Sequence, residues 1–412
     1  MKKRVVITGI GTINPLGNNL ASTWNAAKKG SNGIAQVQRF DSSEWDVNIA
    51  GEVKNFNLEE YFGKKEVKRN DRFSLLALVA TDEAIQDSGI DFKNRSTERV
   101  GVYYSSGIGG LETIANEHSK GLNKGYSRIS PFFIPTSIIN IAAGNIAIKY
   151  GIHGPATASV TACASATNTI GDAFRSLRDG YLDVAITGGS EATITELGIY
   201  GFKVMHALSK SNDPNQASTP FDKERSGFVM GEGAGTLILE TLEHAQERGA
   251  KIYAEVVGYG ATCDATHITS PDPEGTGAMN CMKIALMDAQ LPFNSVDYIN
   301  AHGTSTPLND RIETLAIKRL FNDHAKKLSI SSTKSMTGHL LGASGAVESI
   351  FSVMALKENF IPPTINYKNF DPECDLDYTV NEGKERPVYV AISNSLGFGG
   401  HNATLVFKKW EG

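Results

Sequence analysis

Cys163 is the residue whose setting points most directly to chemistry. An apolar run that predicts a strand over residues 158–160 leads into it, and a helical pattern follows from about residue 164 to residue 178. A thiol at a helix N-terminus faces unpaired backbone N–H groups and the positive end of the helix dipole, which favour the thiolate. The pattern therefore predicts a nucleophile with a lowered pKa. A small, buried structural cysteine is the alternative, and it is favoured for the other three cysteines.

Two histidines occupy similar strand-to-helix corners. His302 follows a predicted strand over 297–300, and His339 precedes a predicted helix over 340–356. The carboxyl ends of strands in an α/β sheet meet at one edge, where ligands bind. A thiolate with two neutral histidines, and no metal-ligand spacing, favours acyl transfer in which the histidines stabilise an oxyanion or an enolate.

A glycine-rich segment, N-S-L-G-F-G-G-H-N over 394–402, surrounds Phe398. Its glycines allow a backbone N–H to approach a reacting carbonyl and allow the aromatic ring to move. A plain hairpin turn is the alternative interpretation.

A second glycine segment, G-I-G-T-I-N from Gly9, resembles the start of a dinucleotide-binding fingerprint. The third glycine is missing, and Pro15 stands where the phosphate-binding helix should begin. A tight strand-to-helix turn explains the two glycines as well. A nucleotide-dependent oxidoreductase is therefore a weak alternative.

Composition and charge indicate a globular enzyme. The 412 residues are 41% apolar and 21% charged, and the net charge of −5 disfavours nucleic acid and anionic membranes as partners. No apolar run is long enough to span a bilayer, and the first residues are interrupted by glycine and proline too early for a signal peptide. The cysteines lack the paired spacing of zinc sites. We therefore expect a cytoplasmic enzyme.

Short β-rich runs alternate with helical patterns along the whole chain, which predicts an α/β fold with layered helices. The runs lie at 5–8, 100–105, 184–187, 252–257, 297–300, 328–331 and 388–393. An apolar run leads into a small-residue turn both before and after residue 250, so two similar α/β halves are predicted.

One long helix is predicted over 64–88, with four basic residues on a single face. This face is either solvated or a docking surface for an acidic protein. Its members are Lys65, Lys68, Arg69 and Arg72.

Four segments together resemble the β-ketoacyl-acyl carrier protein synthases, most closely the elongating enzymes of type II fatty acid synthesis. They are T-A-C-A-S-A around Cys163, A-H-G-T-S-T-P around His302, K-S-M-T-G-H-L-L-G-A-S-G from Lys334 and N-S-L-G-F-G-G from Asn394. A further segment, F-D-K-E-R-S-G-F-V-M-G-E-G-A-G from Phe221, extends the likeness to nearly the whole chain.

The resemblance implies a thiolase-like fold in a homodimer. Two αβαβα halves would form a five-layered αβαβα core. The first half, residues 1–250, would carry Cys163, and the second, residues 251–412, would carry His302, Lys334, His339 and the Phe398 loop.

The resemblance also implies decarboxylative condensation of an acyl-acyl carrier protein with malonyl-acyl carrier protein. The acyl chain would pass through a Cys163 thioester, and no cofactor would be needed beyond the phosphopantetheine of the acidic carrier. The implied roles are an oxyanion hole from the N–H groups of Cys163 and Phe398, enolate stabilisation by His302 and His339, electrostatic organisation by Lys334 with Glu348, and pantetheine binding by Thr304 and Thr306.

Three further groups of residues match family positions. Ile108 and Phe202 match the acyl pocket, with Phe133 reaching across the dimer, and Phe398 matches a gate for the acyl chain. Asn300, Glu348, Ser393 and Asn394 match a monovalent cation site. The basic face matches a carrier-docking helix, and His206 stands where relatives often carry arginine, so docking would be weaker or more pH-dependent.

Two alternatives within the superfamily stay open. A synthase of a polyketide or aryl-polyene pathway would use the same chemistry on another chain, and pocket residues would distinguish it. A non-catalytic subunit that only sets chain length would lack the cysteine, so Cys163 counts against it.

Overall fold

The computed structural model describes residues 2–43, 45–93 and 96–412. The strands among them are β1 Val5–Ile13, β2 Ala35–Gln36, β3 Ile49–Ala50, β4 Val100–Ser105, β5 Ala156–Thr157, β6 Val184–Glu191, β7 Gly233–Thr241, β8 Ala254–Cys263, β9 Tyr298–Asn300, β10 Ser329–Ser331, β11 Phe360–Ile361, β12 Lys384–Glu385, β13 Val390–Gly397 and β14 His401–Lys409.

The helices are mostly short, and three of them exceed fourteen residues. In chain order they are α1 Leu20–Lys28, α2 Leu58–Phe62, α3 Lys64–Val67, α4 Arg72–Ser88, α5 Leu111–Lys124, α6 Phe133–Ser137, α7 Ile141–Tyr150, α8 Ser165–Arg178, α9 Glu196–Lys203, α10 Pro214–Ala217, α11 Leu242–Glu247, α12 Thr276–Asp288, α13 Pro307–Phe321, α14 Lys334–Thr337 and α15 Ser344–Glu358. None of these helices is both long enough and apolar enough to cross a bilayer.

The main sheet is a duplicated unit. From its centre outward one side runs β1-β7-β6-β4-β5 and the other β8-β14-β13-β9-β10, so both sides have the same chain order, and antiparallel pairing of β1 with β8 joins them. The strands of the two sides lie before and after residue 250, although the domain boundary itself stays a prediction.

The helices form three layers around these two half-sheets. Helices α8 and α15 pack against strands of both halves, so they are the central layer. Helix α4 covers β1 and β7 on one outside face, and α12 covers β8 and β14 on the other. The resulting order, helix, sheet, helix, sheet, helix, confirms the predicted thiolase-like α/β fold.

Each central helix follows a strained turn of the same shape. A 3₁₀ turn over Ala162–Ala164 precedes α8, and another over Leu341–Ala343 precedes α15. The first residue of each turn has a positive φ, 50° at Ala162 and 48° at Leu341. Non-glycine residues adopt this region at an energetic cost, and such strain is typical of functional sites. Cys163 in one half therefore corresponds to Gly342 in the other.

Three local predictions were wrong. The strand before Cys163 covers residues 156–157 rather than 158–160, and the helix after His339 begins at Ser344 because the 3₁₀ turn comes first. The long helix over 64–88 is two helices. The side chain of Asp71 accepts a hydrogen bond from the N–H of Phe73 and so caps a new helix, α4, at that point.

Gly9 and Gly11 lie inside β1 rather than in a turn, which removes the geometry of a dinucleotide loop. A Cβ at Gly11 would stand 2.0 Å from the carbonyl oxygen of Ala80 in α4, and a Cβ at Gly9 would stand 2.3 Å from that of Ala84. The glycines are therefore required for close contact between strand and helix.

We expect Gly11→Ala to lower the free energy of unfolding by about 1–3 kcal/mol, because the strand and α4 must separate to admit a methyl group. Urea unfolding would measure the change. Gly201→Ala is the matched control, since a Cβ there meets no atom within 4 Å and the residue lies in helix α9. The control should be neutral or slightly stabilising. Equal stability of the two variants would contradict the close-contact explanation.

Candidate active site

One cavity of about 560 Å³ brings together eight of the predicted site residues. Its volume suits a small-molecule substrate arm. Phe398 directly follows strand β13, and His302 follows β9 after one intervening residue, as the sheet-edge argument predicts, whereas Cys163 lies in the turn before α8 and His339 lies between α14 and the turn before α15. The eight residues are Cys163, Phe202, His206, His302, Thr304, Thr306, His339 and Phe398.

Cys163 is a buried thiol whose sulfur receives backbone hydrogen bonds. The N–H groups of Phe398 and of Cys163 itself point to the sulfur, so two donors converge where an oxyanion would form on a bound thioester. Burial raises the pKa of the thiol to about 11, and the charge of Lys334 and the two N–H groups only partly oppose this. The predicted lowering of the pKa was wrong, because desolvation outweighs the helix N-terminus.

The rings of His302 and His339 stand edge to face, with their centroids 5.3 Å apart. Burial and the neighbouring charge of Lys334 hold the pKa of both imidazoles well below the usual range. Both rings are therefore neutral near pH 7, as the sequence predicted.

Hydrogen bonds define which ring nitrogen of each histidine carries the proton. Nδ1 of His339 lies 3.3 Å from the backbone N of Leu341, which can only donate, and 2.9 Å from Oγ of Ser344. Nδ1 of His302 lies 3.4 Å from the ammonium of Lys334. Because Nδ1 accepts in both rings, the proton of each neutral imidazole is on Nε2. The pair can therefore present two N–H donors to a developing negative charge.

His302 is held in place by Glu313, a residue that the sequence reasoning missed. The carboxylate accepts hydrogen bonds from the backbone N–H of His302 at 2.8 Å and of Gly303 at 2.9 Å. Burial raises the pKa of Glu313 to about 7. Glu313 shares the buried face of α13 with Ile317 and Leu320, and an acid on an apolar stripe was the available signal.

Lys334 and Glu348 form a buried ion pair beside the histidines, with side chains 2% and 4% exposed. Burial raises the pKa of Glu348, and Lys334 opposes the shift. The pair places a positive charge within reach of His302 without exposing it to solvent. This arrangement agrees with the predicted organising role of Lys334, which stays a prediction.

The Phe398 loop is the hairpin turn between β13 and β14, and it also approaches the nucleophile. A Cβ at Gly397 would stand 2.8 Å from the carbonyl oxygen of Thr161 and 3.2 Å from the N of Cys163. Gly399 and Gly400 have φ of 84° and 76°, which glycine adopts without strain. The segment is therefore both a hairpin turn and a point of close backbone approach to the turn that carries Cys163.

The segment from Phe221 supports the two threonines of the cavity. The hydroxyls of Thr304 and Thr306 lie 2.9 Å apart. Buried Arg225 donates to the carbonyl oxygens of Thr306 at 3.3 Å and of Pro307 at 3.0 Å, and it pairs with Asp371. Arg225 thereby anchors the turn that presents the threonines to the cavity.

The predicted acyl-pocket residues separate into two groups. Ile108 and Phe202 pack in the apolar cluster that contains Cys163, and the ring of Phe202 lies 6.5 Å from that of Phe398. Phe133 lies outside the cavity of its own chain, in a groove next to Lys68. A contribution of Phe133 across a dimer stays a prediction.

The predicted basic face is smaller than the sequence suggested. Lys65, Lys68 and Arg69 are exposed. Arg72 instead forms a bidentate, largely buried pair with Glu232, at 2.7 and 2.8 Å, so it is not available on this face for a partner. His206 is exposed at the mouth of the cavity, with a φ of 55°.

Three of the four predicted cation ligands fit a cation. The oxygens Asn300 Oδ1, Glu348 Oε2 and Ser393 Oγ are buried and have no hydrogen-bond partner among the described residues. Side-chain oxygens of this kind are the ligands that hard cations prefer. Asn394 fits less well, because its Oδ1 already accepts a hydrogen bond from Thr404 at 2.9 Å.

Comparison with models of known families shows to which family the chain belongs. The model of the β-ketoacyl synthase N-terminal domain matches residues 2–245, and that of the C-terminal domain matches residues 253–368. The chain belongs to the β-ketoacyl synthase family.

Relatives within this family match over their full length. 3-Oxoacyl-[acyl-carrier-protein] synthase 2 of Staphylococcus aureus strain N315 is 52% identical over 409 residues, 99% of each chain. The protein of the same name from Synechocystis is 52% identical over 411 residues, 100% of this chain and 99% of the relative.

Solved β-ketoacyl synthase structures superimpose closely. A ketosynthase bound to a hexaketide, in complex with its type II polyketide acyl-carrier protein, has a TM-score of 0.90 at 33% identity, covering 100% of both chains. The ishigamide ketosynthase/chain length factor has a TM-score of 0.92 at 33% identity, again covering 100% of both.

Proposed function

We propose that this chain is a 3-oxoacyl-[acyl carrier protein] synthase of fatty acid chain elongation. One observation carries the proposal: a buried thiol with two converging backbone donors shares a cavity with two neutral histidines. Relatives at 52% identity over nearly the full chain have this activity in their names.

The first step transfers the acyl chain to Cys163. The sulfur attacks the carrier thioester carbonyl, and the N–H groups of Cys163 and Phe398 stabilise the oxyanion. The thioester C–S bond to the pantetheine then breaks, and the departing sulfur takes up the proton that Cys163 loses. A high thiol pKa suits this exchange, because the resting sulfur stays protonated until a substrate arrives.

The second step forms the carbon–carbon bond. Malonyl-carrier protein enters along Thr304 and Thr306, and its carboxylate leaves as CO₂. The Nε2–H groups of His302 and His339 stabilise the resulting thioester enolate as neutral donors. The enolate carbon attacks the Cys163 thioester, the C–S bond breaks, and the released thiolate is protonated. Loss of CO₂ makes the condensation effectively irreversible.

A monovalent cation would be held by Asn300, Glu348 and Ser393. When bound, it would supply a fixed positive charge that balances the buried Glu348 carboxylate next to the Lys334 pair. Glu348 itself acts on the histidine site through Lys334.

A homodimer is part of the proposal. Both residues of β5 are exposed, and β5 is an end strand of the main sheet, so its edge can pair with another chain. Large apolar side chains are exposed in the segments before and after it, including Phe132, Ile134 and Val160. Sedimentation of the purified protein would measure the assembly, and a monomer at micromolar concentration would contradict it.

Purified protein supplied with acyl-carrier proteins of graded length and malonyl-carrier protein tests the proposed function. We expect a 3-oxoacyl-carrier product longer by the malonyl-derived unit, with release of CO₂. Saturated fatty acyl substrates should be preferred over polyketide intermediates. Preference for polyketide intermediates would favour a specialised pathway, which the solved ketosynthases at 33% identity make the second candidate.

The acidic carrier docks on Lys65, Lys68 and Arg69 in this proposal. The complex of a related ketosynthase with its acyl-carrier protein supports a carrier as the partner. All three side chains are exposed, and none of them pairs with an acid among the residues that the structure describes. His206 lies at the cavity mouth, where it can contact the same carrier.

We expect charge reversal at Lys65 and Arg69 to raise KM for acyl-carrier substrates about tenfold, because complementary surface charge promotes encounter. KM for acyl-coenzyme A, which lacks the carrier surface, should change little. Lys283→Glu, at an exposed position of α12 on the other outside layer, is the matched control. Equal effects on both substrates would contradict docking at this surface. Arg72 is not used, since removing it would leave buried Glu232 unpaired.

A further inference from the structure

Glu191 is a buried carboxylate that the two reaction steps do not use. It ends strand β6 and is fully buried, and within the part of the chain that the structure describes no basic side chain donates a hydrogen bond to it. A buried charge without a cationic partner is costly unless hydrogen bonds compensate for lost hydration. This cost makes Glu191 a candidate for a role in the neighbouring site.

Four donors surround the Glu191 carboxylate. Oε1 accepts from the hydroxyl of Ser106 at 2.7 Å and from the N–H of Ile108 at 3.3 Å. Oε2 accepts from the N–H of Gly107 at 2.8 Å and of Gly342 at 2.9 Å. Three of these donors are backbone N–H groups, which cannot accept a proton in return, so they favour the ionised carboxylate, whereas burial raises the pKa of Glu191.

The donors belong to two segments that are far apart in the sequence, residues 106–108 and the turn at Gly342. Ile108 belongs to the apolar cluster around Cys163. Gly342 lies in the 3₁₀ turn behind His339, next to Leu341, whose N–H orients the His339 ring. The Glu191 carboxylate therefore connects the segment of Ile108, on the acyl side of the cavity, with the turn behind His339.

The same contact reaches the nucleophile turn. A Cβ at Gly107 would stand 2.9 Å from Oε2 of Glu191 and 3.3 Å from the carbonyl oxygen of Ala162, the residue before Cys163. A Cβ at Gly342 would stand 2.1 Å from the N of Gly107. Three backbone segments thus meet over the carboxylate without room for a side chain.

We propose that Glu191 is a positioning residue for acyl transfer, which fixes Ile108 and the turn behind His339 as one unit and places its carboxylate beside the turn that carries Cys163. The proposal rests on the proposed function for its acyl substrate. Lys334 also acts on the sulfur, and the titratable side chains that line the cavity with Cys163 are His206, Asp264, His302 and His339. Lys334 favours the thiolate, whereas Glu191 opposes it.

The test is the pH dependence of Cys163 alkylation by iodoacetamide, followed by intact and peptide mass spectrometry. This readout needs no substrate, so it is independent of condensation activity. We expect Glu191→Gln to alkylate about 3- to 10-fold faster than wild type at pH 7.5, because loss of a nearby negative charge increases the thiolate fraction. Glu52→Gln is the matched control, since Glu52 is also buried and accepts from the N–H groups of Gln38 and Arg39.

Glu191→Asp separates the effect of the carboxylate charge from the effect of the side-chain length. Aspartate keeps the charge, so its alkylation profile should match wild type, but it is one methylene shorter and cannot satisfy all four donors. The ratio of kcat/KM for long to short acyl-carrier substrates should then fall about threefold or more, because the wall at Ile108 is less well fixed. If Glu191→Gln does not fold, this ratio is the deciding measurement.

Two results would overturn the proposal: a folded Glu191→Gln with the wild-type alkylation profile, or a Glu191→Asp variant with an unchanged chain-length ratio. A wild-type enzyme that transfers no acyl group from any carrier substrate would instead contradict the proposed function. In that case the alkylation result still decides whether Glu191 acts on the Cys163 sulfur.

Discussion

Cys163→Ala should lose condensation by a factor of about 10³ or more while still releasing CO₂ from malonyl-carrier protein. The two activities separate because, in the proposed mechanism, the acyl thioester forms on the sulfur, whereas His302 and His339, which line the same cavity, stabilise the enolate. Radiolabelled malonyl-carrier protein would report both CO₂ release and 3-oxoacyl product in the same assay.

Cys374→Ala is the matched control for this experiment. Cys374 is also buried, but it packs in the core of the second half, away from the cavity. We expect this variant to keep condensation near the wild-type level. Condensation by Cys163→Ala at a comparable rate would contradict the role of Cys163 as the acyl carrier.

His302→Ala and His339→Ala should each slow CO₂ release from malonyl-carrier protein by about 10²-fold or more. Each change removes one of two neutral N–H donors from a buried site, where water cannot replace it with the same geometry. Acylation of Cys163 should be affected less, since its oxyanion is stabilised by backbone N–H groups. Single-turnover measurements of acylation and CO₂ release would separate the two steps.

His339→Gln distinguishes a hydrogen-bond donor from an acid. The glutamine side-chain amide can donate a hydrogen bond but cannot transfer a proton near neutral pH, so this variant should retain more decarboxylation than His339→Ala. His118→Ala, at an exposed position of α5, is the control and should be unchanged. Equal loss in the Gln and Ala variants would indicate that His339 acts by proton transfer.

The sequence predicted the site better than it predicted local structure. Cys163, His302 and His339 each follow a strand end or precede a helix, and these signals are local, so their convergence followed from the sheet topology. Glu191 and Glu313 were missed because their partners are backbone N–H groups of other segments. Sequence patterns carry no information about such contacts.

Arg72 shows why surface predictions were less accurate. Its spacing placed it on one face with Lys65 and Arg69 only if a single helix continued through residue 71. The Asp71 cap begins a new helix there, and Glu232, distant in sequence, receives the Arg72 guanidinium. The thiol pKa was mispredicted for a related reason, since the burial that raises it depends on the whole fold.

Gly9 and Gly11 likewise have a structural role that their spacing in the sequence did not indicate. They were interpreted as turn residues, but they provide clearance for the outer helix α4 where it crosses β1. The prediction of close backbone approach was correct for Gly397 of the Phe398 loop, where a Cβ would stand 2.8 Å from the carbonyl oxygen of Thr161.

The central claim is that an acyl group on Cys163 is the intermediate of condensation. Intact mass spectrometry of the acylated enzyme, before and after addition of malonyl-carrier protein, tests this claim most directly. Enzyme incubated with a saturated acyl-carrier protein should gain the mass of one acyl group on Cys163. Added malonyl-carrier protein should then return the enzyme to its original mass as 3-oxoacyl-carrier product appears in equal amount. An enzyme that never gains the acyl mass, or that loses it as free fatty acid without 3-oxoacyl product, would contradict the account.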